Sequence, residues 1–240
     1  MNVLAGKANR EVCDVKIFDY KTGELFMEYD FANTTSLNFN SDSVYAMAKG
    51  SRKISFNNPL EGEFSITAQV VPFKMYSLYS DHKIDETGDV FVKKNVLCTE
   101  NGKLNVANAI AGTVFVNKDG ENVTGVYADG TFTGEAIVAE STYEVSYMES
   151  RTGVKKIVLN NKRTPKAVKI VLCTNDKDED DNFIPLQITI MKAAIRRNLE
   201  LSFSSEGDPQ EITMTFDCLE KDADNFVEII ALEDNDIVEG

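Results

Sequence analysis

Apolar and polar residues alternate with a period of two along much of this chain, and that period belongs to half-buried β-strands. The clearest case lies near the C-terminus, in Lys192 to Cys218, KAAIRRNLELSFSSEGDPQEITMTFDC. Leu199, Leu201 and Phe203 share one face, while Glu200, Ser202 and Ser204 share the other. Ile212, Met214, Phe216 and Cys218 then alternate with Thr213, Thr215 and Asp217. Between the runs stands Glu206-Gly207-Asp208-Pro209. There a Gly can take positive φ at no steric cost and a Pro blocks further pairing. The pattern predicts a closing hairpin over Leu199 to Phe216. Burying Leu199, Leu201 and Phe203 would contribute roughly 1.5–3 kcal/mol each. An isolated hairpin is barely stable in water, so its apolar face must meet something.

The same rhythm opens the chain. Cys13, Val15 and Ile17 alternate with Asp14 and Lys16, a turn follows at Lys21-Thr22-Gly23, and Leu25, Met27, Tyr29 and Phe31 alternate again. Phe64, Ile66, Ala68 and Val70 form another strand. After Pro72, Phe73, Tyr76 and Tyr79 recur at helical spacing. Pro suits a first helical position, so residues 72–81 are predicted as a short helix with its aromatics in the core. Strands are expected at residues 91–97, 104–107, 113–116, 142–148, 154–159, 167–173, 184–190 and 227–232. Asn101-Gly102, Asp119-Gly120, Asp129-Gly130 and Arg151-Thr152-Gly153 read as the turns between some of them.

Residues 33–58 behave differently. They are rich in Asn, Ser, Thr and Lys, with short apolar beats at 37–39, 44–47 and 54–56. A long segment with little core of its own is either a surface loop or a functional excursion. The fold class is therefore mainly β, an antiparallel β-sandwich or barrel with one short α-helix. No internal repeat and no long Ser/Gly/Pro linker occurs, which predicts a single domain over residues 1–240.

Composition narrows the function. Thirty-nine acidic residues against 25 basic ones leave a formal net charge of −14. Binders of nucleic-acid backbone need clustered Lys and Arg, so neither specific DNA binding nor an anionic membrane fits. Cys13, Cys98, Cys173 and Cys218 are too scattered for a CxxC motif and read as small buried hydrophobes. The N-terminus lacks an apolar secretory core and no apolar run reaches membrane-spanning length. A chain made and folded in a reducing cytoplasm is expected.

Candidate chemistry is sparse. Asp176, Asp178 and Asp180 occupy the first, third and fifth places of an EF-hand loop. The fit then fails, because Asp181 stands where Gly makes the sharp turn and Gln187 where Glu chelates. An acidic turn between strands is the plainer reading of residues 176–182. His82 is the lone histidine, with no Cys or His at ligand spacing and no GxSxG. Lys192, Arg196 and Arg197 form the one dense basic cluster of the C-terminal half, suited to salt bridges. No catalytic residue, metal ligand or cofactor site is assigned.

The wording of the C-terminal stretch adds a family. Lys192-Ala193-Ala194, Arg196-Arg197-Asn198, an alternating run, Gly207-Asp208-Pro209, a strand ending Phe216-Asp217-Cys218-Leu219 and an acidic tail follow one another. This order resembles the C-terminal end of major tail tube proteins of tailed bacteriophages infecting Gram-positive bacteria. The rest of the chain agrees with them in rhythm and order. The resemblance implies a structural virion protein, not an enzyme, of the phage tail tube type. Its copies would form homohexameric rings that line a continuous inner β-barrel and stack into a tube for DNA ejection. Residues 33–58 would be the arm that reaches neighbouring subunits, assisted by the strands around 25–31 and 64–70 and the closing hairpin. Implied partners are further copies of the chain, a tape measure protein, tail-tip and terminator proteins, and a sheath if the tail contracts. DNA would pass an acidic lumen without specific binding. The place would be the virion tail, assembled in the host bacterial cytoplasm. A carbohydrate- or surface-binding β-sandwich is the alternative, set back by the absence of Trp. An enzyme on a β scaffold is the third.

Overall fold

The computed structural model describes residues 6–30, 32–80, 83–179, 181–207, 209–222 and 225–231. It is mainly β and antiparallel throughout, as the period of two predicts. The chain folds as two compact units. Unit 1 is built from residues 1–82 and 159–240, and unit 2 from residues 83–158 between them.

The first half of unit 1 runs β1 (Lys7–Asn9), β2 (Asp14–Asp19), β3 (Leu25–Tyr29), β4 (Thr34–Asn40), β5 (Ser43–Ala48), β6 (Ser51–Asn57) and β7 (Glu61–Ala68). Unit 2 then contributes β8 (Asp85–Leu97), β9 (Lys103–Asn105), β10 (Phe115–Lys118), β11 (Glu121–Asn122), β12 (Val126–Ala128), β13 (Thr131–Thr133) and β14 (Thr142–Lys156). The chain completes unit 1 with β15 (Val168–Asp178), β16 (Phe183–Ile195), β17 (Ile212–Cys218) and β18 (Val227–Ala231).

The main sheet of unit 1 has the order β3-β2-β15-β16-β17-β7-β4, with β1 added beside β15 and β18 beside β16. Its two edge strands, β3 and β4, are consecutive in the chain, so four residues, 30–33, join opposite edges. The sheet is thereby curled towards a barrel. The Cys13 backbone N–H donates to Thr35 Oγ1 at 3.2 Å across the gap, and the Asn33 N–H extends the β4–β7 ladder by donating to the Thr67 carbonyl at 2.8 Å. Inside lie the alternate residues of each strand: Val15, Ile17, Tyr29, Phe64, Ile66, Ile170, Met214 and Phe216 are all buried. Phe64 and Phe216, paired across β7 and β17, stack at 6.0 Å.

The aromatic stretch after Pro72 is helical over Phe73–Tyr79, wound as a 3₁₀ helix. Three residues per turn set Phe73 over Tyr76, whose rings meet edge to face at 5.7 Å. Met75, Leu78 and Tyr79 enter the core, while Phe73 stays exposed. Lys74 ties the helix to β3 by donating to the Phe26 carbonyl at 2.5 Å.

Unit 2 has a core of its own, with Cys98, Leu104, Val106, Val116, Phe132, Ile137, Tyr143, Val145 and Tyr147. β8 and β14 form a long ribbon flanked by β10 and β11, and β9, β12 and β13 make a small second sheet. Residues 151–153, expected as a turn, run on inside β14 with an irregularity between Thr152 and Lys156. Cross-strand pairing with Gly88 and Thr87 holds Arg151 and Thr152 in the strand, while Gly153, with φ of 79°, stands in the irregularity.

The closing hairpin needs correction. Its second strand is β17 as expected, but its first is the end of β16, with Ala193, Ala194 and Ile195 facing Cys218, Asp217 and Phe216. Leu199 to Ser204 is not a strand, and Phe203 is 92% exposed. Only Leu199 packs against the core. The expected partner strand, β17, pairs along its whole length with β7 and over Phe216–Cys218 with β16. Asp208 of the predicted turn lies outside the described residues.

Candidate assembly surfaces

The segment 33–58 divides into two parts. β4 joins the main sheet as its edge, paired with β7 from Thr34↔Thr67 to Asn40↔Glu61. β5 and β6 leave that sheet as a separate two-stranded hairpin. Its turn is Lys49-Gly50, with φ of 49° and 78°. Positive φ at both central residues matches the right-handed twist of the flanking strands. The root is pinned where the Asn58 N–H donates to the Asp42 carbonyl at 2.9 Å and Ser41 Oγ to the Asn58 carbonyl at 2.7 Å.

Register fixes what this hairpin presents. Val44 faces Phe56 and Ala46 faces Ile54, so all four share one side. Nothing in the chain covers that side among the described residues: Val44, Ile54 and Phe56 are 59%, 57% and 58% exposed. A two-stranded hairpin without a packing layer is marginal in water. A contiguous apolar face of this kind marks an interaction surface.

At the root of the hairpin opens a cleft of ≈ 750 Å³. Asn40, Pro59, Leu60, Leu219, Glu220 and Phe226 are among the residues that line it. Gly62 makes it possible. A Cβ there would stand 3.1 Å from the Phe226 ring and 3.0 Å from Cys218 Cβ. Arg196 spans three strands at this site, with Nη1 2.5 Å from Glu63 and Nη2 2.7 Å from Asp217. Asp217 holds the guanidinium above its ordinary pKa, with Glu63 adding to the effect.

The other predicted positions fall apart as a site. Lys192 lies over the Tyr20 ring at 5.6 Å, and Arg197 Nη1 donates to the Asn161 carbonyl at 3.2 Å. Asp176 and Asp178 sit within β15, and Asp178 closes the turn by accepting from the Asn182 N–H at 2.9 Å. Asp180 and His82 lie outside the described residues. No group of three or more His, Cys, Asp or Glu placed for a metal ion occurs among the described residues. The four cysteines are free. Burial pushes the Cys218 thiol up to about 11 and also raises that of Cys173, which makes both poor nucleophiles. What sequence reasoning missed is the cleft, whose walls come from residues 40–63 and 196–226.

Unit 2 carries a smaller surface of the same kind. Phe91 faces Met148, and Phe115 faces Ser146 on the other side of β14, all on the outward face. Both phenyl rings are largely exposed.

The chain combines a curled antiparallel sheet, a 3₁₀ helix and a hairpin whose apolar face is uncovered among the described residues. Comparison with known families decides its kind: residues 9–230 match the YomU/Tube protein family. The chain belongs to that family. No curated protein matches it. Membership in the YomU/Tube family points to a structural component of a phage tube, hence of a virion tail. No helix among the described residues is long and apolar enough to cross a membrane.

Proposed function

We propose that this YomU/Tube protein is the tail tube subunit of a tailed phage infecting a Gram-positive host. Its copies form homohexameric rings, and the rings stack into the conduit through which DNA leaves the capsid. The observation that carries this reading is the uncovered apolar face of β5–β6, which needs a neighbour. The edges β3 and β4 each have one strand partner among the described residues, leaving backbone groups for a further contact. The role is structural and not catalytic. The excess of 39 acids over 25 bases supports a lumen that repels phosphate, so that DNA slides through without sticking. A tape measure protein inside the tube, and tail-tip and terminator proteins at its ends, complete the partner set. Four free thiols suit assembly in the host cytoplasm.

Negative-stain electron microscopy of the purified chain across a concentration series tests the reading. Rings or hollow tubes with a regular stacking repeat are expected. A monomer at every concentration, with and without added tail tips, would contradict it.

A further inference from the structure

We propose that the basic tip of the β5–β6 hairpin of one copy seats in the acidic cleft at the hairpin root of a second copy. The inference rests on the tube reading and names the surface that receives the hairpin. It starts from an inversion of charge. In a chain of net charge −14, residues 41–58 hold Lys49, Arg52 and Lys53 against Asp42 alone. Arg52 lies over the Tyr45 ring at 4.2 Å, while Lys49 and Lys53 form no ion pair among the described residues. Met47 and Ile54 flank them and are exposed.

The cleft has the opposite character. Glu61, Glu63, Asp217, Glu220 and Asp222 line it against Arg196 alone, and that arginine is taken by Glu63 and Asp217. Glu61 and Glu220 make no ion pair among the described residues. Leu60 and the Phe226 edge give the cleft an apolar wall. Its needs are therefore a cation and an apolar side chain together, which is what Lys49, Lys53 and Ile54 offer.

The occupant is a second copy for a geometric reason. The cleft begins at Asn40 and Pro59, the residues flanking the hairpin base. Six residues of β5 at about 3.3 Å each put the tip about 20 Å from that base. A copy cannot fill its own cleft while the hairpin stays intact. Tip and cleft are different surfaces, so each copy gives one tip and receives another. Such an exchange can close as a reciprocal two-fold pair or a ring, or continue as a filament, and the tube reading selects the ring.

Charge reversal tests this in the full-length chain, read by sedimentation velocity and negative stain. Lys49→Glu with Lys53→Glu, and separately Glu61→Lys with Glu220→Lys, should each raise the concentration needed for assembly about tenfold or more. Combining all four should restore assembly close to wild type, and raising the salt should weaken the wild type but not a chain assembled through apolar contacts alone. Unchanged melting of each variant shows that its fold is intact. Wild-type assembly with both reversals harmless, or a combination no better than either pair, overturns the docking and leaves the tube reading standing. A wild-type chain that never assembles overturns both.

Discussion

The β5–β6 hairpin and the β8–β14 ribbon are both antiparallel pairs with alternating apolar residues, yet only the ribbon carries a packed layer. On β14, Tyr143, Val145 and Tyr147 are buried against Leu104, Val116, Phe132 and Ile137. Tyr143 is also fixed by its hydroxyl, which donates to the Ala136 carbonyl at 3.0 Å and accepts from the Val138 N–H at 2.8 Å. On the hairpin, Val44, Ile54 and Phe56 have the same chemistry and no layer over them among the described residues. The difference teaches that alternation specifies a strand but not what lies on it. Where the chain supplies no layer, the free energy of burial remains available for a partner.

That contrast can be broken by substitution. The largest effect is expected in the ribbon: Tyr143→Ala should cost about 3–5 kcal/mol, as for other large buried aromatics, in chemical denaturation followed through unit 2. The matching change Phe56→Ala should alter the stability of the monomer by less than about 0.5 kcal/mol, because its ring is exposed. An equal loss at both positions would abolish the distinction. Next comes Gly125→Ala. Its Cβ would clash with the Thr133 carbonyl oxygen and stand 2.5 Å from the Phe132 ring. Overpacking of this order costs about 1–3 kcal/mol, readable as a lowered melting temperature of unit 2.

Assembly should follow the opposite order. Ile54→Ser with Phe56→Ser removes two side chains worth roughly 1.5–3 kcal/mol each if buried by a neighbour. The concentration needed for assembly should rise by about tenfold or more, with the circular dichroism of the monomer unchanged. Light scattering that matches wild type would show that the apolar face of the hairpin is not used.

The smallest effect concerns Tyr79. Its hydroxyl is buried with no hydrogen-bond partner, so Tyr79→Phe should be neutral or slightly stabilising at pH 7. Burial pushes the pKa of Tyr79, and of Tyr29, from 10.0 up to about 12. The folded state thus holds these protons more tightly than the unfolded chain. Their contribution is complete below pH 10 and is lost as pH rises towards about 12. Denaturant midpoints over that window should fall less steeply for Tyr79→Phe than for wild type.

Much of the fold was legible because its strands are half-buried. Cys13 to Ile17, Phe64 to Ala68 and Ile212 to Cys218 each write their inward face as every second residue. The failure at Leu199 to Phe203 marks the limit of the same rule: alternation there satisfies the pattern, yet it is the end of β16, Ala193 to Ile195, that pairs with β17. The division into two units has no signal either, since no Gly, Ser or Pro linker marks residues 83 or 158. At the candidate surfaces, the sequence showed residues 33–58 as short of core. It could not show that Thr34–Asn40 joins the main sheet while Ser43–Asn57 leaves it, because that depends on register with β7. The cleft was invisible for a related reason. Its walls are distant in the chain, and it exists through Gly62, whose missing side chain lets Phe226 approach.

Hydrogen–deuterium exchange of the full chain, measured peptide by peptide across a concentration series, tests the central claim most directly. Fast exchange is expected in β5–β6 when the chain is dilute and strong protection when it assembles, with β8–β14 protected at both ends of the series. Assembled rings or tubes in which residues 43–57 exchange as fast as in the monomer would contradict it.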